Sequence, residues 1–123
     1  MDIVIGITKL SIQCIIGCYP EERQQPQPLF IDVQMHIRLE KCGDDVQSTV
    51  DYALVARLIQ DVAVQGAFFL LETLARHIGE AICRTFPAVQ NVWIRIEKPQ
   101  ALPQAACAFV EYSYDMDTSN RRS

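Results

Sequence analysis

The clearest pattern in the chain is an alternation of apolar and polar side chains that starts at Leu29 and ends at Glu40. A period of two is typical of a β-strand with one buried face and one solvated face. The apolar positions are Leu29, Ile31, Val33, Met35, Ile37 and Leu39, and the polar ones are Asp32, Gln34, His36, Arg38 and Glu40. The pattern therefore predicts a strand with one dry face and one wet face.

Three further segments are predicted to be strands. Residues 2–16 are rich in β-branched side chains, and alternation returns from Val92 to Ile96 before Pro99, whose missing N–H ends an inner ladder. Residues 105–114 form the last predicted strand. The segment 19–28 contains three prolines, which exclude a helix or an inner strand, so we predict a loop there.

Between the second and third strands the apolar period becomes helical, after a break at residues 41–45. Asp51 is a suitable N-cap for the first helix, and Gly66 is interpreted as its C-terminal stop. The second helix is predicted from about Leu70 to Arg84, ahead of Pro87. The linker between the two helices is therefore short.

The predicted order is β-β-α-α-β-β in a single domain of residues 1–114, followed by a polar tail at 115–123 that we expect to be disordered. This order favours an α+β fold, with an antiparallel four-stranded sheet and both helices on one face. The other face and the two sheet edges would be uncovered, which a small monomer tolerates badly. We therefore expect a homo-oligomer in which the sheets of several subunits close into a barrel.

Composition and charge narrow the functional classes. The 123 residues are 50% hydrophobic and 21% charged, as in a globular domain. A net charge of -4 argues against nucleic acid or an anionic membrane as the main partner. The chain has no apolar run of membrane-spanning length and no leader-like N-terminus, so we expect a cytoplasmic protein. Five cysteines without a Cys-x-x-Cys pair predict neither a disulfide framework nor a metal site, and neither His36 nor His77 is spaced as a ligand.

Four short motifs together resemble the dihydroneopterin aldolase family. They are GCYPEER at 17–23, STVDY at 48–52, LLETLA at 70–75 and IRIEKP at 94–99, in the family's order and at family-like spacing. The resemblance spans residues 1 to about 112. It implies the tunnelling fold, in which subunits close their sheets into a ring, as a tetramer or a stacked octamer, with active sites at subunit interfaces.

The resemblance also implies a reaction. A lyase of this family cleaves 7,8-dihydroneopterin into 6-hydroxymethyl-7,8-dihydropterin and glycolaldehyde by a retro-aldol step in folate biosynthesis. The C=N bond of the pterin beside the tail accepts the electron pair, so the substrate supplies what a cofactor supplies elsewhere. We therefore expect no cofactor and no metal. Re-addition of glycolaldehyde to its other face would give 2'-epimerisation as a side activity.

Three residues match family positions that bind the substrate. Glu72, at the start of the second helix, matches the glutamate that holds the amino and ring N–H groups of the pterin, much as a carboxylate pairs with a guanidinium. Val50 and Leu71 match positions whose backbone groups help to hold the same ring. The resemblance therefore assigns substrate binding to Glu72, Leu71 and Val50.

Three further residues match catalytic positions. Lys98 corresponds to an acid or base that acts near the substrate's tail without forming a Schiff base, and Tyr52 to a proton carrier. An acid is expected five residues after Gly17, which selects Glu22 rather than Glu21.

Two alternative functions stay open. A dihydroneopterin triphosphate 2'-epimerase resembles the aldolase across the same motifs. A triphosphate needs several converging cations, however, and this net acidic chain has no cluster of Arg or Lys near its motifs beyond Arg23 and Lys98. A non-catalytic pterin-binding ring would need Glu72 but neither Tyr52 nor Lys98.

Overall fold

A computed structural model describes residues 1–40 and 43–116 of the chain. Strands β1 (Asp2–Cys14), β2 (Gln27–Arg38), β3 (Val89–Lys98) and β4 (Ala108–Asp115) form one antiparallel sheet in that order. Helices α1 (Tyr52–Gly66) and α2 (Leu71–Thr85) follow β2 in the chain. Short 3-10 helices cover Pro20–Arg23 and Val46–Ser48. The predicted α+β class and element order are confirmed. No helix in the described ranges is long and apolar enough to span a membrane.

The alternation of β2 becomes a burial pattern in the fold. Its inward side chains, Leu29, Ile31, Val33, Met35 and Ile37, are at most 1% exposed. Helix α1 packs against β1, and α2 packs against β3 and β4, so both helices cover the apolar face of the sheet. Each such buried side chain contributes about 1.5–3 kcal/mol to folding.

Strand β1 contains a β-bulge that the sequence pattern did not reveal. The pairing with β2 shifts between Ile7 and Leu10, and Lys9 there has a φ of 57°. An extra residue changes which side chains face inward, so the inward set switches from odd to even positions. The inward residues are Ile3, Ile5 and Ile7 before the bulge and Leu10, Ile12 and Cys14 after it.

The opposite face of the sheet is charged, and no helix of the described residues lies on it. The Arg95 guanidinium donates to Glu111 at 3.0 Å and to Glu97 at 3.3 Å, and it lies 3.7 Å from the centre of the Phe109 ring. Glu97 also pairs with the Lys9 ammonium at the bulge. We call this surface the charged face. It corresponds to the predicted wet face.

The prediction that residues 19–28 contain no helix and no part of an inner strand is wrong. Pro20 begins a 3-10 helix, because a helix leaves its first N–H groups unpaired and tolerates proline there. Pro28 lies in β2, where it pairs with Gln13 of β1. Pairing of β2 with β3 begins only at Phe30 and Glu97, so Pro28 has a strand on one side alone.

Several other boundaries differ by a few residues from the predictions. β1 ends at Cys14 rather than at 16, and β4 runs from Ala108 to Asp115 rather than from 105 to 114. Asp51 is the N-cap of α1, as predicted, and its side chain accepts a hydrogen bond from the Ala53 N–H at 2.9 Å. Lys41 and Cys42 of the predicted break, and residues 117–123 of the expected tail, lie outside the described residues.

Helix α1 ends at the predicted glycine, but the next residue takes the left-handed conformation. Ala67 has φ 44° and ψ 48°. A side chain on Gly66 would place its Cβ 2.1 Å from the ring of Phe68, so the glycine leaves room for that ring. The linker between the helices therefore begins with a strained alanine.

We expect Ala67→Gly to raise the free energy of unfolding by up to about 1 kcal/mol, because glycine adopts the left-handed conformation without steric cost. Ala56→Gly, inside α1, is the matched control and should lower it by a similar amount. Urea unfolding of both variants measures the difference. A destabilised Ala67→Gly would mean that the methyl group contributes more by packing than it costs in strain.

Candidate active site

Antiparallel pairing brings several chain segments to one end of the sheet. Cys14 pairs with Gln27, and Lys98 pairs with Ala108, so β1 and β3 end there while β2 and β4 begin. We call this end of the molecule the lysine end. Asp2 and Arg38 lie at the opposite end.

At the lysine end, Lys98 forms an ion pair with Glu22. The Lys98 Nζ lies 2.7 Å from the Glu22 Oε2, and the two side chains are 14% and 18% exposed. Lys98 is the last residue of β3, and Glu22 belongs to the 3-10 helix that follows β1. The neighbouring Glu21 is exposed to solvent. Because both side chains are largely shielded from water, solvent and salt screen this ion pair less than they screen a pair on the open surface.

The Glu22 carboxylate is held from several directions. Its Oε2 also accepts a hydrogen bond from the Gln27 Nε2 at 3.2 Å, and its Oε1 accepts one from the Tyr19 N–H at 3.3 Å. Burial raises the pKa of the Glu22 carboxyl group, but the hydrogen bonds from Lys98, Gln27 and Tyr19 outweigh it, and the pKa lies below its ordinary value. The carboxylate is therefore held in its ionised form.

Gly17 makes room for this carboxylate. Its φ of 128° is a conformation that residues with a side chain rarely adopt. A Cβ at this position would lie 2.3 Å from the carboxyl group of Glu22. The five-residue spacing between Gly17 and Glu22 therefore has a steric basis: the chain folds back so that the acid covers the glycine.

Arg23 joins the same loop to the linker between the helices, a role that the sequence analysis missed. Its guanidinium donates to the carbonyl groups of Gly17 at 3.3 Å, Phe68 at 3.1 Å and Ala67 at 2.7 Å. It also lies 4.3 Å from the centre of the Phe69 ring. The GCYPEER motif is thereby fixed to residues 67–69, directly before α2.

Glu72 lies in the first turn of α2, and its carboxylate is exposed. The N-cap residue of this helix, Leu70, supplies no side-chain hydrogen bond, so the first N–H groups of the helix have no side-chain cap. Leu71 is 9% exposed. Because the linker before α2 is tied to the Glu22 loop, Leu71 and Glu72 belong to the lysine end.

Tyr52 and Val50 lie elsewhere in the same chain. Tyr52 begins α1 and is 63% exposed, whereas Val50 just before it is 4% exposed. The helices pack against each other and are joined only by residues 67–70, so they run antiparallel. A helix of 15 residues is about 22 Å long. Tyr52 is therefore far from Glu72 within one subunit.

A cleft of about 530 Å³ adjoins the Glu22 carboxylate and is partly open to solvent. Its polar lining consists of amides and carboxylates, among them Glu21, Glu22, Gln27 and Gln100. These groups suit hydrogen bonding to hydroxyl groups. A ligand bound in this cleft alone would stay partly exposed, whereas ligand sites usually bury most of the ligand.

The described residues offer no obvious metal centre. Within 1–40 and 43–116, no three His, Cys, Asp or Glu side chains lie close enough together to hold a metal ion. Cys14, Cys18, Cys83 and Cys107 are free thiols. Burial raises the pKa of the Cys83 thiol to about 11, so this thiol is unreactive at neutral pH.

Residues 5–114 match the family model described as dihydroneopterin aldolase, FolB. A dihydroneopterin aldolase of Methylorubrum extorquens is 34% identical over 99 residues, which cover 79% of this chain and 76% of that protein. The Escherichia coli K12 enzyme is 33% identical over 110 residues, covering 86% and 87%. The crystal structure of E. coli dihydroneopterin aldolase in complex with neopterin superposes with a TM-score of 0.84 at 28% identity, covering 90% of this chain and 97% of that one.

We expect Glu22→Gln to destabilise the fold at neutral pH but not in acid. The pKa of Glu22 is lower in the folded chain than the value of about 4.3 in an unfolded chain. The resulting stabilisation is complete above the unfolded value and is lost as the pH falls through the folded value. Urea unfolding at pH 7 and pH 3 measures this, with Glu21→Gln as the control for losing an acid from the same loop. A deficit of Glu22→Gln that is equal at both pH values would contradict the expectation.

Proposed function

The chain belongs to the dihydroneopterin aldolase family and is a dihydroneopterin aldolase, hence a lyase, and we propose that Lys98 and Glu22 are its acid-base pair. The observation that carries this assignment is the 2.7 Å contact between the two side chains. Residues from distant parts of the sequence meet there, beside a cleft lined by hydrogen-bonding groups.

The reaction breaks the bond between the first and second carbons of the trihydroxypropyl tail of 7,8-dihydroneopterin. A base removes the proton of the second hydroxyl group, its C–O bond becomes the carbonyl of glycolaldehyde, and the electron pair of the broken bond moves into the C=N bond of the pterin. Protonation of the resulting enamine on carbon gives 6-hydroxymethyl-7,8-dihydropterin. The protein has to hold the ring and transfer two protons.

In this scheme Lys98 and Glu22 take part in the transfer of the proton of the second hydroxyl group. The ionised carboxylate accepts hydrogen bonds from the tail hydroxyls, and the nitrogen of Lys98 lies beside it, so an acceptor and a donor of protons are adjacent. The proton of the second hydroxyl passes to this pair, most directly through one bound water. The Glu72 carboxylate accepts hydrogen bonds from the amino and ring N–H groups of the pterin, and the backbone at Leu71 helps to hold the ring. Tyr52 carries the later proton to carbon.

Tyr52 and Val50 reach the site from a neighbouring subunit. Three observations support this part of the proposal. Tyr52 begins α1, one helix length of about 22 Å from the linker that leads to α2. The cleft beside Glu22 is open to solvent, and within the described residues no helix covers the charged face. We propose a homo-oligomer, as a tetrameric ring or a stacked octamer, in which the charged faces line the barrel. A monomer at micromolar concentration in analytical ultracentrifugation would refute the shared site.

Purified protein should release glycolaldehyde from 7,8-dihydroneopterin, and Lys98→Ala should lower kcat by about 10²–10⁴-fold, the usual contribution of a general acid or base. Pterin affinity should be nearly unchanged, since Lys98 acts at the tail. Coupled detection of glycolaldehyde measures the rate, and product fluorescence measures binding. Turnover of the triphosphate alone would instead indicate the 2'-epimerase, whose substrate the acidic cleft disfavours.

Glu72→Ala should instead weaken the binding of the pterin itself. Loss of a charge-assisted pair of hydrogen bonds should weaken binding of 6-hydroxymethyl-7,8-dihydropterin by about 10- to 100-fold. Fluorescence titration measures the dissociation constant. Glu80, a half-buried glutamate on the same helix that pairs with Arg76 at 3.4 Å, provides the control in Glu80→Ala. Equal affinity of the two variants would refute the anchoring role of Glu72.

Mixed oligomers test whether the site is shared. Tyr52→Phe and Lys98→Ala should each be inactive alone, but oligomers assembled from equal amounts of both should regain about a quarter of the wild-type activity, because random mixing pairs the two intact residues at that fraction of interfaces. Two different affinity tags isolate the mixed species. No regained activity in verified mixed oligomers would place both residues in one subunit's site.

A further inference from the structure

Gln27 stands out among the side chains at the lysine end because it is polar and buried. Gln27 is 8% exposed, and among the described residues it is the only polar or charged residue that is buried. Burying an amide is costly unless its hydrogen bonds are made. The fold therefore has to use this amide in some specific contact.

Both hydrogens of the Gln27 amide are used on acceptors. The Nε2 donates to the backbone carbonyl of Ile16 at 2.9 Å and to the Glu22 Oε2 at 3.2 Å. Neither acceptor has a proton to give, so the contact requires an NH₂ group at this position. An ionised carboxylate or an apolar side chain of the same length cannot replace it.

The anchor of this contact is rigid. Ile16 is 1% exposed, and Gln27 is the first residue of β2, where it pairs with Cys14 of β1. The amide thus connects the loop carboxylate of Glu22 to the edge of the apolar core. The same Oε2 atom that it holds accepts from Lys98 at 2.7 Å.

We propose that Gln27 is a positioning residue for the acid-base pair, which holds the reactive oxygen of Glu22 in register with Lys98. The inference rests on the proposed function, because it concerns the same pair. Both hydrogens of the Gln27 amide are already used within the protein, on Ile16 and Glu22. It acts through Glu22 by fixing the direction and the charge of the carboxylate.

The surroundings of Glu22 determine what a substitution would do. The groups that contact or flank it are Lys98 from β3, Gln27 from β2, the backbone N–H of Tyr19, and Glu21 and Arg23 from its own 3-10 helix. The Arg23 guanidinium is occupied by backbone carbonyl groups. Gln27→Glu would place a second carboxylate against Glu22, and two adjacent like charges favour protonation.

The decisive variants are Gln27→Glu and the neutral Gln27→Met, with Gln24→Glu as the control. Gln24 is exposed in the same segment, so its variant adds the same charge without the buried contact. We expect both Gln27 variants to lose about 10- to 100-fold in kcat, as supporting residues of reactive groups usually do, with KM within about threefold. The acid limb of the pH profile of kcat should move up by about one pH unit in Gln27→Glu.

A second measurement does not depend on activity. The ¹³C resonance of the Glu22 carboxyl group, assigned with Glu22→Gln, should titrate at higher pH in Gln27→Met than in the wild type. If the wild type fails to cleave dihydroneopterin, the proposed function fails while this titration still tests Gln27. If Gln27→Glu does not fold, Gln27→Met carries the test. An unchanged kcat in folded Gln27→Met, or an unchanged Glu22 titration, would overturn the inference.

Discussion

The unequal faces of the sheet determine where every other part of the chain lies. One face is apolar and attracts both helices, and the other is charged and is left without a helix in the described residues. Because both helices share a face, the connections between elements have to cross at the two ends of the sheet. The loop after β1, the linker before α2 and the end of β3 consequently meet at the lysine end. The candidate site is therefore a product of how the core is covered.

At that end, local backbone geometry and site chemistry depend on each other. Gly17 adopts a backbone conformation suited to glycine, and the space that its missing side chain leaves holds the Glu22 carboxylate. Arg23, the next residue, binds three backbone carbonyl groups and attaches the loop to the start of α2. The acid is thus held by the fold before any substrate arrives. Such preorganisation lowers the cost of aligning a proton acceptor with a hydroxyl group.

Periodicity and motifs predicted more of this protein than local geometry did. The alternation of β2 correctly predicted its buried face, and Asp51 caps α1 as expected. The bulge at Lys9 was missed because one extra residue only changes the parity of a strand whose two faces both contain β-branched side chains. The motif spacing selected Glu22, but the contacts of Arg23 and Gln27 could not be predicted, since their partners become neighbours only through the fold. Patterns show which face is buried, whereas hydrogen-bond partners depend on tertiary structure.

The candidate residues Tyr52 and Glu72 lie at two separate places in one folded subunit, and this separation has a simple geometric cause. Two antiparallel helices with a short linker place the start of one beside the end of the other, so a residue that begins α1 cannot approach the start of α2. Exposed aromatic side chains occur at both places: Tyr52 is 63% exposed and Phe69 is 60% exposed. Large apolar groups left in water at two separate positions are typical of surfaces that meet a partner. In the proposed assembly these two positions complete each other, so that ring closure and catalysis depend on the same contact.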